Sequence, residues 1–203
     1  MIIQCILGRV GRSYHLTDLN NCRAIALSSS LSKVLETLLL CKVSTVDVDS
    51  DRFQFGFKAG NSTDLCTSVM KNVVDYYTNQ GSYVFLCFVD FSKAFDKVNY
   101  WKLFHKLLDD NVSSDVTGLL AFWYSNQSSR IRWKSALSVS FSIGNGTRQG
   151  GILSPHLFTR YIRELIYEVS YCGVGCNVGG TYCNLLAYVK WLYCSNRYVM
   201  QCF

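Results

Sequence analysis

The run YVFLCFV at residues 83–89 is unbroken in apolar and aromatic side chains, and it ends on a carboxylate, Asp90. A β-branched and aromatic run of this kind reads as a strand covered on both faces, so the chain has to supply layers on each side of it. A carboxylate at the end of such a strand is costly to desolvate unless a cation or metal meets it. Mg²⁺ suits the place, because it takes one or two protein carboxylates together with substrate phosphates. The plainer alternative is that Asp90 caps the turn that follows.

Helical patterns surround the strand. Residues 28–41 (SSSLSKVLETLLLC) read as a helix capped by serine, with Leu31, Val34, Leu35, Leu38 and Leu39 as its apolar face. Residues 62–78 read as a second helix, capped by Ser62 or Thr63 and faced by Leu65, Val69, Val73 and Tyr76, and Gly81 stops it. Trp101, Phe104, Leu107 and Leu108 mark a short helix, and Val116, Leu119, Leu120 and Trp123 mark another. Segments 130–133 and 138–144 read as a hairpin. Ser154 and Pro155 open a helix striped by Leu157, Phe158, Tyr161, Ile162, Leu165, Ile166 and Val169. GVGCNVGG (173–180) suits a turn between strands, and NLLAYV is the last strand. Helices and strands mix without strict βαβ alternation, which predicts an α+β fold, an antiparallel sheet backed by helices.

Composition narrows the class. The 203 residues are 49% apolar and 17% charged, a foldable globular chain with a net charge of +6, compatible with a polyanionic partner or with an ordinary basic protein. No apolar run approaches the ~18 residues that a membrane span needs, and the first residues break at Gly8 and Arg9 before a secretory core forms. The expectation is therefore an intracellular protein, cytoplasmic or nuclear, with no membrane partner. The ten cysteines show no CxxC pair and no zinc-finger spacing; they read as reduced, buried thiols, with Cys41, Cys87 and Cys183 inside apolar runs.

A second chemical segment is GNGTRQGGILSPHLF, 144–158. Its glycines permit positive φ and a close approach of backbone amides to a ligand, a helix starts directly after, and Arg148 and Gln149 add side-chain donors. A plain structural turn is the competing reading.

Taken together and in this order, the segments resemble the reverse transcriptases of non-LTR (LINE-type) retrotransposons over nearly the whole chain. NNCRAIALSSSLSKVLE (20–36) is similar to the fingers motif NYRPIALxxxxSKVLE, with Cys22 and Ala24 in place of its Tyr and Pro. FQFGFKAGNST (53–63) is similar to QxGFRxGxST, FVDFSKAFDKV to palm motif A, and TRQGGILSPHLF to RQGGxLSPxLF. VGCNVGGTYCNLLAY resembles the hairpin leading into palm motif C.

The resemblance implies a right-hand polymerase fragment spanning residues 1–203, mainly fingers over about 1–82 and mainly palm over about 83–203, truncated after the motif C strand and lacking the thumb. It implies RNA-directed DNA polymerase activity with Mg²⁺, on an RNA template, a DNA primer and a dNTP. By position, Asp90 and the Phe91 carbonyl would be metal ligands, with Asp90 the catalytic carboxylate. Phe95 would exclude a ribose 2′-OH, Gln149 and Gly150 would line the nucleotide pocket, and Arg23 would lie against the incoming nucleotide. The oligomeric state is not implied. An RNA-directed RNA polymerase shares the palm, but RQGGILSP and Phe95 argue against it.

Motif C breaks the pattern. After Tyr188 the family reads Ala-Asp-Asp, and this chain reads Val189-Lys190-Trp191. No Asp or Glu follows, and an ammonium beside two divalent cations would be repelled in a partly dry site. The expectation is a catalytically dead copy, or alternatively a non-catalytic nucleic-acid-binding remnant or interaction module. Arg12, Arg23, Lys58, Arg130, Arg132, Lys134 and Arg148 are its candidate phosphate contacts. Read one base earlier with permitted codons, Trp-Leu-Tyr-Cys-Ser becomes Met-Val-Val-Leu-Leu, an aliphatic strand of the family's kind. The tail therefore reads as a frameshift product.

Overall fold

The computed structural model of the protein describes residues 2–7, 22–43, 54–58, 60–91, 93–188 and 191–198, with side chains placed in 25–43 and in the described residues of 54–188. In chain order the elements are β1 (Ile2–Leu7), β2 (Cys22–Leu27), α1 (Ser30–Val43), α2 (Thr63–Thr78), β3 (Tyr83–Asp90), a 3₁₀ turn at Phe95–Lys97, α3 (Tyr100–Asp109) and α4 (Ser114–Ser125). They continue with β4 (Ser128–Trp133), β5 (Ala136–Leu137), β6 (Phe141–Ser142), α5 (Ser154–Ser170), β7 (Asn177–Val178), β8 (Thr181–Tyr182), β9 (Leu185–Tyr188) and β10 (Trp191–Tyr198). The fold is α+β, with antiparallel pairing in all but the β1–β4 ladder and the Gln54–Ala187 bridge.

Two compact units form, and neither is one continuous stretch: residues 1–47 with 95–161, and residues 48–94 with 162–203. The first holds a sheet ordered β2-β1-β4-β5, with β6 also on β4. Helix α1 starts after Ser29, whose hydroxyl accepts the Ser32 amide. Helices α3 and α4 pack together over Leu103, Phe104, Leu107, Leu120 and Tyr124, all buried. Their N-caps form as the sequence requires: Asn99 accepts from the Lys102 amide and Ser113 from the Val116 amide. The expected hairpin has a broken second arm, because β5 and β6 pair separately with β4.

The second unit holds the sheet β3-β10-β9, with α2 against β3 and β9. Ser62 caps α2 by accepting the Leu65 amide. Val73, Tyr77 and Cys176 form its core, joined by Val84, Val178 and Cys183. The Tyr77 hydroxyl donates to the Asn177 carbonyl (2.5 Å) and accepts the Asn177 amide (2.8 Å), pinning α2 to the β7–β8 hairpin. That hairpin turns through Gly179 and Gly180, both at positive φ, as a two-residue turn requires. Asn184 donates to the carbonyls of Val169, Ser170 and Val174 and so holds the end of α5 to the start of β9.

Four expectations are corrected. Strand β3 is not covered on both faces: Tyr83, Phe85, Leu86, Phe88 and Val89 are all exposed, and only Val84 joins the core under α2. Helix α1 turns a different face inward, burying Glu36, Leu39 and Val43 while Leu31, Val34 and Leu38 stay exposed. On α2 the inward aromatic is Tyr77, and Tyr76 and Leu65 are exposed. Among the described residues six cysteines are free, but Cys41, Cys87 and Cys172 are exposed rather than buried.

Candidate functional site

Strand register sets the first group of candidate residues. In the second unit β10 runs antiparallel between β3 and β9, which places Trp191 across from Asp90 on one side and from Tyr188 on the other. The three positions form one row at the end of the sheet. Val189 and Lys190 lie outside the described residues. Asp90 is exposed at the strand end, and Phe91, half-buried, follows it. Strand β9 is fixed in turn by the Phe55 amide, which donates to the Ala187 carbonyl at 2.7 Å.

This row carries one carboxylate, Asp90. A two-ion centre holds two cations about 4 Å apart between carboxylates from neighbouring strands. Here the direct cross-strand partner of Asp90 is a tryptophan position, and the sequence has no Asp or Glu after Glu168. Among the described residues no group of three or more His, Cys, Asp or Glu side chains is placed to hold a metal.

A separate group of candidate residues lies in the first unit. Phe95 sits on the 3₁₀ turn, with its ring tilted against Phe158 at a centroid distance of 5.0 Å. The loop before α5 is sewn to that turn: the Gly146 amide donates to the Val98 carbonyl and the Thr147 amide to the Phe95 carbonyl, both at 2.8 Å. Gly146 has φ +91, and a Cβ there would lie 2.9 Å from the Asp96 backbone, so the close approach requires glycine. One residue beyond Arg148, the Gln149 carbonyl accepts the Ala26 amide at 2.8 Å, which ties the loop to β2. Gly150, at φ +101, approaches the Ala26 carbonyl. Arg23 lies three residues before Ala26 on β2, paired in register with Ile6.

A cavity of about 270 Å³ opens beside this loop, lined by Ala26, Asp96, Phe141, Thr147 and Gln149 among others. Thr147 is buried, and its hydroxyl has no hydrogen-bond partner among the described residues.

Arg148 is the residue whose role changes most. It is 8% exposed and directed inward. Its Nη1 meets Glu36 Oε1 at 3.3 Å and Ser32 Oγ at 3.1 Å, and its Nε meets Gln127 Oε1 at 3.1 Å. The guanidinium lies 4.2 Å from the Trp123 ring centroid and 5.6 Å from that of Tyr124. Gln127 Nε2 in turn donates to the Tyr100 hydroxyl. Burial pushes that phenol up to about 12, against smaller downward contributions from Gln127 and Arg148. Burial raises Tyr124 as well. Arg148 is therefore not a phosphate contact. The loop amides of Ile152 and Leu153 are also not open to a ligand, since both donate to Glu36 Oε2.

The structure thus gathers Phe95, Gln149, Gly150 and the β2 backbone at Arg23 in one unit, and Asp90, Phe91, Tyr188 and Trp191 in the other. Sequence reasoning missed Glu36, Gln127 and Trp123. A signal for Glu36 was present: it shares a helical face with Leu39 and Val43 at spacings of three and seven, a carboxylate on an apolar stripe.

Comparison with known proteins bears on the family and the fold. Residues 15–189 match the family described as "Reverse transcriptase (RNA-dependent DNA polymerase)". A probable RNA-directed DNA polymerase from transposon X-element of Drosophila melanogaster is 29% identical over 148 residues, 70% of this chain and 16% of the relative. The RNA-directed DNA polymerase from mobile element jockey of Drosophila funebris is 28% identical over 152 residues, 73% of this chain and 16% of the relative. The chain thus spans about one-sixth of the length of these relatives. Among solved structures, telomerase from Candida tropicalis in complex with a telomeric RNA fragment superposes with a TM-score of 0.54 at 11% identity, covering 83% of this chain and 29% of that one. The apo telomerase of the same organism gives 0.52 at 10% identity, covering 80% and 34%. These likenesses concern the fold.

Proposed function

This chain belongs to the reverse transcriptase family, of the non-LTR retrotransposon type, and from that premise we propose that it is a fingers–palm segment that does not catalyse nucleotide addition. The observation that carries the proposal is the register of the palm sheet: Trp191 stands directly across from Asp90, where a second carboxylate is needed. Phosphoryl transfer asks a protein for positioning and for charge stabilisation by divalent ions, which reverse transcriptases use. Asp90 and the Phe91 carbonyl would offer one side of a Mg²⁺ site, and nothing on the facing strand completes it.

The first unit supports retained binding. Phe95, Gln149, Gly150 and the Arg23 backbone sit on elements joined by backbone hydrogen bonds, none of which involves the motif C row. In this reading they face the dNTP and the RNA template–DNA primer end. Of the basic residues, Arg130 and Lys134 are exposed and Arg132 is half-buried along β4, available for phosphate contact.

Primer extension on an RNA template with Mg²⁺ or Mn²⁺ tests the reading. No product is expected; metal-dependent synthesis that Asp90→Asn abolishes would refute it. The remnant-binding reading is tested by filter binding, where the affinity for RNA–DNA hybrid should fall steeply between 50 and 200 mM salt.

A further inference from the structure

The sequence offers the 148–153 loop as a place where amides and an arginine await an anion, yet the folded chain fills that place with a carboxylate of its own. Glu36 is 2% exposed in the middle of α1. Its two oxygens serve two ends of the loop: Oε1 takes the Arg148 guanidinium, and Oε2 takes the amides of Ile152 and Leu153 at 2.5 and 3.3 Å. Gly151 lies under this arrangement, where a Cβ would come within 3.1 Å of Glu36 Oε2 and 2.8 Å of Ser154 Oγ. Between the anchored ends lie Gln149, Gly150 and Gly151, and the first two of these approach β2.

We propose that Glu36 is a positioning residue for the nucleotide-facing loop, clamping residues 148 and 152–153 so that Gln149 and Gly150 are presented at a fixed height above β2. The proposal deepens the nucleotide-pocket reading given above and rests on it only where nucleotide is concerned. A carboxylate is required by the count of donors. A guanidinium N–H converges on one oxygen and two amide N–H groups on the other, so both ends of the group must accept. Glutamine has one accepting end and one donating end, and turns its NH₂ against donors whichever way it sits. Leaving buried donors unmatched is the expensive case for a polar network. With Arg148 removed as well, that conflict disappears, because the single oxygen of a glutamine suffices for the amides.

Amide hydrogen exchange on the full 203-residue chain tests the clamp. Glu36→Gln is expected to speed exchange at Ile152 and Leu153 at least tenfold while amides of α3 and of the β3–β10 ladder keep their rates. Unchanged rates at the two amides, or an equal rise throughout the chain, overturn the proposal. In an Arg148→Met background the same substitution is expected to change the two rates less than threefold; an undiminished effect there overturns the clamp. Should Glu36→Gln fail to fold, Ser32→Ala removes one contact of Arg148 at the rim. It is expected to raise the two rates about threefold, and no rise is again a refutation.

The consequence for nucleotide is read by fluorescence titration of a dNTP onto the chain bound to a blocked primer–template. Glu36→Gln is expected to weaken dNTP binding at least fivefold and leave primer–template affinity unchanged; equal loss of both, or of neither, refutes the positioning role. If the unsubstituted chain binds no dNTP, the pocket reading fails, and hydrogen exchange alone decides whether Glu36 is the clamp.

Discussion

Gly146→Ala is the substitution for which the structure gives the clearest magnitude. The added Cβ would stand 2.9 Å from both the Cα and the carbonyl oxygen of Asp96 and 3.1 Å from its carbonyl carbon. These are backbone atoms, and they are held in place because the Gly146 and Thr147 amides are hydrogen-bonded to Val98 and Phe95. Overpacking against atoms that cannot yield costs about 1–3 kcal/mol. The residue also sits at φ +91, where an L side chain adds roughly 1–2 kcal/mol of strain. Reduced freedom of the unfolded chain returns only about 0.4–1 kcal/mol. The net loss is then about 3 kcal/mol, which for a chain of this size lowers Tm by roughly 6–12 °C. Gly118→Ala is the internal control: it lies in α4, has no neighbour within 4 Å of the added Cβ and no positive φ. It is expected to raise stability by about 0.5–1 kcal/mol through helix propensity. Thermal unfolding followed by circular dichroism reads both. A Gly146→Ala protein within about 2 °C of the parent, or one shifted no further than the control, would refute the reasoning.

The phenol of Tyr100 is raised in the folded state to about 12, from about 10 when unfolded. Its share of stability is complete below about pH 10 and is lost as pH rises towards 12, and urea midpoints across that window should fall less in Tyr100→Phe than in the parent. His156 is lowered by burial and then by Arg160, so its contribution is present above pH ~6.5 and is lost as pH falls below it. His156→Gln should flatten that acid limb of the urea midpoint curve. Replacing Val189-Lys190-Trp191 by Ala-Asp-Asp should create a saturable Mn²⁺ site, seen by loss of free-ion paramagnetic resonance signal, and Asp90→Asn should weaken it at least tenfold. The unsubstituted chain should show no such saturation.

How far the sequence could be read depended on whether a feature is local. Caps, turns and strand ends are local. Ser62 and the 179–180 turn behave as their residue types require, because each is decided within four residues. Which side of a helix turns inward is not local. Helix α1 carries apolar residues on more than one side, and periodicity alone favoured the stripe of Leu31, Val34, Leu35, Leu38 and Leu39, of which only Leu39 is buried. The fold instead buries the stripe that contains Glu36, because Arg148 and two loop amides come to it from 112 to 117 residues away. The same limit applies to β3. An unbroken apolar run was read as doubly covered, yet only Val84 joins the core under α2 and most of its side chains are exposed.

The site divides along the same line. Asp90 and Trp191 are set across from each other by the antiparallel register of β3 and β10, and the absence of any Asp or Glu after Glu168 is legible in the sequence itself. The role of Arg148 is not. An arginine beside glycines and a helix start has the chemistry of an anion site, and that chemistry is present in the fold. What the sequence could not say is that the anion is covalently part of the chain. Once Glu36 occupies both the guanidinium and the amides, the loop gains a rigid base and loses a ligand site. In the proposed reading, recognition passes to Gln149 and Gly150, which approach the backbone of β2.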